Sequence, residues 1–204
     1  MEKNNNFLSK KDILDSAEET FRRFGPKKTS VTDIAKVLNV SHGTIYRHYP
    51  TKKALREAVT ERWLEEKVIS PLEELIYTEQ NPANLLKAYI LKLSFLKQHF
   101  AEQDTEMFAM YAEVTADSAE LIGEHINKII GHLSFIIQKG IDAQIVKKTN
   151  RIDELAKAIF YSTASFHHPA HAFEWKKQSI STAFEHVWNL ISNGILINEG
   201  RRNE

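Results

Sequence analysis

No cysteine occurs in the 204 residues, so the chain has no disulfide framework, no zinc-thiolate site and no thiol nucleophile. Glycine and proline are scarce, at seven and five residues, about half of average usage, which encodes few turns and long elements. No two glycines lie closer than six positions, so neither the dinucleotide-binding nor the P-loop glycine pattern can be written. No apolar run approaches the roughly 18 residues of a membrane span. The opening Met1–Asp12 also lacks the apolar stretch of a signal peptide, and a cytoplasmic, non-membrane protein is expected. In that compartment the sequon Asn39-Val40-Ser41 has no meaning for glycosylation.

What is present is the balance of a globular protein, with 42% hydrophobic and 26% charged residues. A chain of this length fits one large domain or two small ones and can bury roughly 70% of its unfolded surface. Lysine plus arginine equal aspartate plus glutamate, 27 each, but their distribution is uneven. Residues 1–56 hold twelve bases and six acids, whereas the remaining 148 hold fifteen bases and twenty-one acids. A basic N-terminal quarter on an acidic body fits a nucleic-acid-reading head joined to a control body, or a basic solvated face of no consequence.

The spacing predicts helices almost throughout and no strand. Ser9, with Asp12 three residues on, is placed to cap a helix over about 10–24 carrying Ile13, Leu14, Ala17, Phe21 and Phe24. Gly25 in a left-handed conformation and Pro26 are expected to end it. Ser30 with Asp33 opens a second, two-turn helix with Val31, Ile34, Ala35 and Leu38 on one face. Asn39 can take the left-handed turn and Ser41 can cap a third helix, 42–48, which Pro50 ends. Two short helices joined by a three-residue turn form a helix-turn-helix. Thr51 caps a longer helix through Trp63, expected to be interrupted at Pro71. Further helical patterns cover Leu85–Phe100, Glu106–Val114, Leu121–Ile137, Ile152–Phe166 and Trp175–Ile197, with 140–150 as a loop and a break at His167–His171.

The stretch Thr29-Ser-Val-Thr-Asp-Ile-Ala-Lys-Val-Leu-Asn-Val-Ser-His-Gly-Thr-Ile-Tyr-Arg-His-Tyr-Pro-Thr-Lys-Lys-Ala-Leu55 resembles the DNA-binding head of the tetracycline-repressor (TetR/AcrR) regulators, the similarity covering roughly residues 9–60. Asn39 stands where that family often has glycine. The resemblance implies an all-α fold of about nine helices, with a head at 1–55 (helix-turn-helix about 30–49) and a ligand-binding and dimerisation body at 56–204. It also implies a homodimer on double-stranded, palindromic operator DNA, a small-molecule inducer that releases it, no cofactor and no catalytic residue.

An exposed third helix fits the major groove, where each base pair presents a distinct donor and acceptor pattern. His42, Thr44 and Arg47 are the candidate base readers, and Gly43 permits close backbone approach. Tyr46, His48 and Lys52 match positions that contact phosphates in the family, and Thr32 matches the end of the second helix that meets the DNA backbone. Ile45 and Val40 are expected inside, and Tyr49 is expected to pack against a neighbouring helix.

In the body, Phe95, His99, Met107, Phe108, Tyr111 and His125 have the composition of an apolar pocket with a few polar contacts, or of plain core. Glu113 could add a polar contact there. Leu155, Ala158, Ile159 and Ala164, then Ala183, Phe184, Val187, Trp188, Ile191 and Ile195, mark apolar faces on the last two long helices, where dimerisation is expected. His167, His168 and His171, with Glu174, suggest a metal-dependent hydrolase as an alternative, but Pro169 breaks the helical face and no metal is expected. A third reading is a protein-binding helical adaptor.

Overall fold

The predicted caps form in the computed structural model, which describes residues 8–78 and 81–197. Helix α1 (Lys10–Phe24) starts behind Ser9, whose Oγ accepts the Asp12 N–H while the Asp12 carboxylate accepts the Ser9 N–H. A cap of this kind contributes about 1 kcal/mol. The helix buries Ile13, Ala17 and Phe21, and leaves Phe24 exposed under the Arg23 guanidinium.

Gly25 ends α1 at φ 81° and ψ 142°. The positive φ is as expected, but the extended ψ is not the left-handed helical turn predicted; it is a region essentially reserved for glycine. A Cβ at this position would lie 2.9 Å from Glu106 Oε2. Gly25→Ala is therefore expected to destabilise the protein by about 1–3 kcal/mol, read as a lower urea midpoint with unchanged slope.

Helices α2 (Val31–Val37), α3 (His42–His48) and α4 (Lys52–Leu64) follow, the last capped by Thr51 Oγ1 accepting the Ala54 N–H at 2.9 Å. Pro71 does not break the chain out of helix. A π turn over Glu65–Ile69 carries the backbone into α5 (Ser70–Ile76), with the Ser70 N–H donating five residues back to the Glu65 carbonyl. The widened turn shifts the hydrogen-bond register just ahead of the proline, which has no N–H to place and sits in the first turn of α5.

Helices α6 (Pro82–Gln103), α7 (Thr105–Asp117), α8 (Ala119–Asp142), α9 (Ile152–Ser162) and α10 (Ile180–Ile195) complete the described set. With α4 and α5 counted as one interrupted helix, the ten become the expected nine among the described residues. Two 3₁₀ turns, Ala164–Phe166 and Pro169–Glu174, separate α9 from α10. The last helix thus begins at Ile180, five residues later than its apolar pattern suggested. In the loop after α8, Val146 pairs with Leu196 in an isolated antiparallel bridge, and no strand is present among the described residues. No helix in this set is long and apolar enough to cross a membrane.

The chain forms two compact units. The first comprises residues 1–63 and 102–122, so the N-terminal helices share a unit with α7, a segment that a division at 55/56 assigns to the body. Its interior holds Ile13, Phe21, Ile34, Ile45, Leu55, Val59, Trp63, Met107, Met110 and Tyr111. The second comprises 64–101 and 123–204, with Leu72, Leu85, Tyr89, Ile90, Leu93, Ile129, Leu133, Ile136 and Phe184 buried.

Candidate nucleic-acid interface

Ser30 caps α2 reciprocally with Asp33, and Ser41 Oγ accepts the Thr44 N–H at 3.2 Å to start α3. Between them Asn39, at φ 54°, supplies the left-handed residue of the turn, and the Val40 N–H closes it on the Ala35 carbonyl at 3.0 Å. Asparagine tolerates this conformation better than other non-glycine residues, which is why the turn survives without glycine. Val31, Ile34, Ala35 and Ile45 are buried and fix α2 against α3. Val40 is only half-buried and Tyr49 is buried.

The packing leaves one face of α3 open. His42, Gly43, Tyr46 and Arg47 are exposed, Thr44 and His48 are half-buried, and Thr32 is exposed on α2. The His42 and Tyr46 rings meet edge to face at 6.1 Å, and Arg47 Nη2 reaches Thr44 Oγ1 at 3.4 Å. Thr44 Oγ1 also lies 2.9 Å from Ser41 Oγ, so reading a base through it requires that hydroxyl to turn outward. Lys52 Nζ leans on the Lys27 carbonyl at 3.5 Å, and burial holds its ammonium below the usual lysine range.

The basic excess of the N-terminal segment is not the charge of the folded unit. Residues 1–63 and 102–122 together hold thirteen bases and fourteen acids. The acids of α7 and its preceding turn neutralise particular bases: Asp104 binds Arg22 through two nitrogens at 2.8 and 3.0 Å, and Glu113 binds Arg56 at 2.6 Å and Lys27 at 2.9 Å. The arginine and lysine partners hold the Glu113 carboxyl below its ordinary range against the opposing effect of burial. Glu113 is thus an ion-pair hub of the first unit. Sequence spacing could not show it, because its partners lie 57 and 86 positions away.

The sequence model for bacterial regulatory proteins of the tetR family matches residues 13–59, and that for the tetracyclin repressor-like C-terminal domain matches residues 82–188, more than half of the chain. The chain belongs to the TetR family. An HTH-type transcriptional regulator of Bacillus subtilis, YhgD, is 28% identical over 170 residues, covering 83% of this chain and 85% of its own. Among solved structures, FadR from B. subtilis in complex with stearoyl-CoA has a TM-score of 0.63 at 20% identity, covering 89% of this chain and 97% of its own. SmeT, the repressor of the Stenotrophomonas maltophilia multidrug efflux pump SmeDEF, has a TM-score of 0.61 at 14% identity, covering 95% and 93%. The chain is accordingly a DNA-binding transcriptional regulator with an N-terminal helix-turn-helix, and not an enzyme.

In this TetR-family regulator the six pocket candidates are distributed over both units. Met107, Phe108 and Tyr111 are buried in the first unit, where Tyr111 lies 6.0 Å from Trp63 and 5.7 Å from Phe108. Phe95, His99 and His125 belong to the second unit. There Phe95 and His99 stack on the exposed side of α6 at 5.5 Å, while His125 is buried with its Nε2 3.1 Å from Lys97 Nζ. The break between α6 and α7 at Asp104 divides what reads as one aromatic stretch. Lys97, 2% exposed, had no sequence signal beyond its place in an apolar helix.

The three histidines after α9 also part company. His167 is buried, with its Nε2 3.3 Å from Thr163 Oγ1 and its ring 4.8 Å from that of Phe160. His168 Nδ1 accepts the Ala170 N–H, and His171 Nδ1 lies 3.2 Å from Glu174 Oε1. Among the described residues no group of three histidine or acidic side chains could hold a metal ion, and the hydrolase reading finds no support.

Proposed function

We propose that this regulator is a repressor that binds a palindromic operator as a homodimer and leaves it when a small molecule occupies the second unit. The observation that carries the reading is the outward face of α3, held rigidly by three serine caps and the Asn39 turn. His42, Thr44 and Arg47 read base edges from it, and Gly43 lets the backbone come close. Tyr46, His48, Lys52 and Thr32 hold the phosphates. The stearoyl-CoA bound to FadR and the role of SmeT as the repressor of a multidrug efflux pump support control by a small molecule. A ligand can act only through its different affinity for the DNA-bound and released states.

Selection of bound fragments from random and genomic DNA tests this reading. A two-fold symmetric site, with affinity falling steeply as salt rises, is the expected result; no enrichment of any sequence at low salt would overturn it. On that site, Arg47→Ala is expected to cost about 1–3 kcal/mol and to relax preference at one base position per half-site. Tyr46→Ala should weaken cognate and random DNA alike. Equal losses for Arg47→Ala on both DNAs would remove it from the base readers.

Homodimerisation is assigned to α9 and α10. On their outer faces Tyr161 and Leu190 are 61% and 76% exposed, large apolar surfaces that a single chain leaves in water. Leu190→Glu is expected to convert a dimer to a monomer at micromolar concentration in gel filtration. The same elution volume for both proteins would place the interface elsewhere.

A further inference from the structure

The turn between α1 and α2 is closed on itself. The Thr29 N–H and hydroxyl both donate to the Gly25 carbonyl, at 3.1 and 2.8 Å, and Gly25, Pro26 and Thr29 are buried, so Lys27 and Lys28 stand exposed at its tip. That tip lies beside the start of α4, because Lys52 Nζ donates to the Lys27 carbonyl at 3.5 Å. A cationic tip next to a lysine assigned to phosphate is placed for the same partner. The Lys27 ammonium is held inside the unit instead. Its Nζ lies 2.9 Å from Glu113 Oε1, while Arg56 Nη2, one turn beyond Lys52 on α4, takes Glu113 Oε2 at 2.6 Å. The two pairs are unequal. The Lys27 side chain is 79% exposed and that of Arg56 21%, so water and salt weaken the lysine pair far more than the arginine pair.

We infer that Lys27 is a further contact to the DNA backbone and that Glu113 competes for it: the carboxylate holds the ammonium in the free protein, and a phosphate takes its place on the operator. A phosphate neutralised by Lys27 releases a condensed counterion, a gain that the internal pair does not offer. Glu113 keeps Arg56 when Lys27 leaves, so the exchange strands no lone carboxylate. The competition matters in this unit because thirteen bases face fourteen acids, and no net positive charge makes up for a cation kept from the phosphates. Glu113 thus tunes the strength of binding without touching DNA. The inference rests on the assignment of Lys52 to the phosphate backbone, which sets the side of the unit on which Lys27 lies.

The test is fluorescence anisotropy on the selected operator and on random duplex across a salt series, with the parent chain, Lys27→Gln, Glu113→Gln, the double variant and Lys52→Gln. Lys27→Gln is expected to weaken both DNAs alike, by about threefold per chain near about 0.1 M salt, and to lower the salt slope by about one per chain. Glu113→Gln, which keeps an acceptor for Arg56, should tighten both by about threefold per chain. That gain should vanish when Lys27 is already glutamine. An unchanged salt slope for Lys27→Gln would overturn the inference, and so would a Glu113→Gln gain that persists in the double variant, since it would then come from the general loss of an acid. Weaker binding by a folded Glu113→Gln would overturn the competition as well. Lys27→Gln changes an exposed position, so its slope decides the matter whatever Glu113→Gln does to stability. Unchanged affinity in Lys52→Gln would remove Lys52 from the phosphate contacts, an outcome read separately from the Lys27 slope.

Discussion

Trp63→Ala is expected to destabilise the protein by about 3–5 kcal/mol, the loss typical of a deleted core aromatic. Trp63 is fully buried in the first unit, its ring 6.0 Å from that of Tyr111, and its indole N–H donates to Asp104 Oδ2 at 3.2 Å. Asp104 also takes the paired contact from Arg22, so one side chain ties the end of α4 to the turn before α7 and, through Arg22, to α1. The alanine variant removes the ring volume and one hydrogen bond together. Trp63→Phe keeps most of the ring and should cost only about 1 kcal/mol beyond its smaller volume, the worth of the lost hydrogen bond. Urea unfolding followed by circular dichroism separates the two. Equal midpoints for both variants would mean that the ring volume at this position carries none of the loss.

Acid sensitivity centred on His167 is the second large effect. Burial, then the electrostatic effect of Lys97, lowers its pKa from 6.5 to about 3, with His168 and His171 acting the same way and the Phe160 carbonyl opposing them. In the unfolded chain the imidazole takes its proton near pH 6.5; in the folded chain it stays neutral far below that. The unfolded state thus binds more protons across the interval, and stability rises with pH there. The contribution is fully present above about pH 7 and is lost as pH falls from 6.5 toward 3, reaching about 5 kcal/mol at the lower end. At pH 4.5 the loss should be about 3 kcal/mol. His167→Gln, which has no proton to take up, should flatten the decline between pH 7.5 and pH 4.5 relative to the parent chain. Identical pH slopes in the two proteins would show that this imidazole is solvated or already charged when folded.

The head was almost fully legible in its residues because its determinants are local. Ser9 with Asp12, Ser30 with Asp33, and Ser41 with Thr44 act over three positions, and each forms as spaced. Asn39 adopts the left-handed conformation its side chain permits. The exposed face of α3 follows from the burial of Ile45, which turns His42, Gly43, Tyr46 and Arg47 to solvent and leaves Thr44 and His48 half-buried. The reading failed where a local rule met a longer-range adjustment. Pro71 is a helix breaker in isolation, yet the π turn ahead of it supplies the register change that accommodates its ring. Gly25 was read as a left-handed helical stop, but the approach of Glu106 accompanies an extended ψ instead.

Composition by segment misled for a related reason. The twelve bases against six acids of residues 1–56 are real, but α7 and the turn before it join the same unit and bring acids that pair with Arg22, Lys27 and Arg56. The aromatic stretch from Phe95 to Tyr111 likewise reads as one patch until the turn at Asp104 assigns its ends to different units.

The amino-acid order alone determined that the fold is all-α, where the short helices of its helix-turn-helix begin and end, and which side chains of α3 face outward, because caps, turns and periodicity operate within one or two helical turns. Tertiary structure alone decided that Glu113 pairs with Arg56 and Lys27, that Trp63 reaches Asp104, and that Lys97, His125 and His167 converge in one interior. Each of those meetings joins residues 28 to 86 positions apart, and only the packing of whole helices sets their distance.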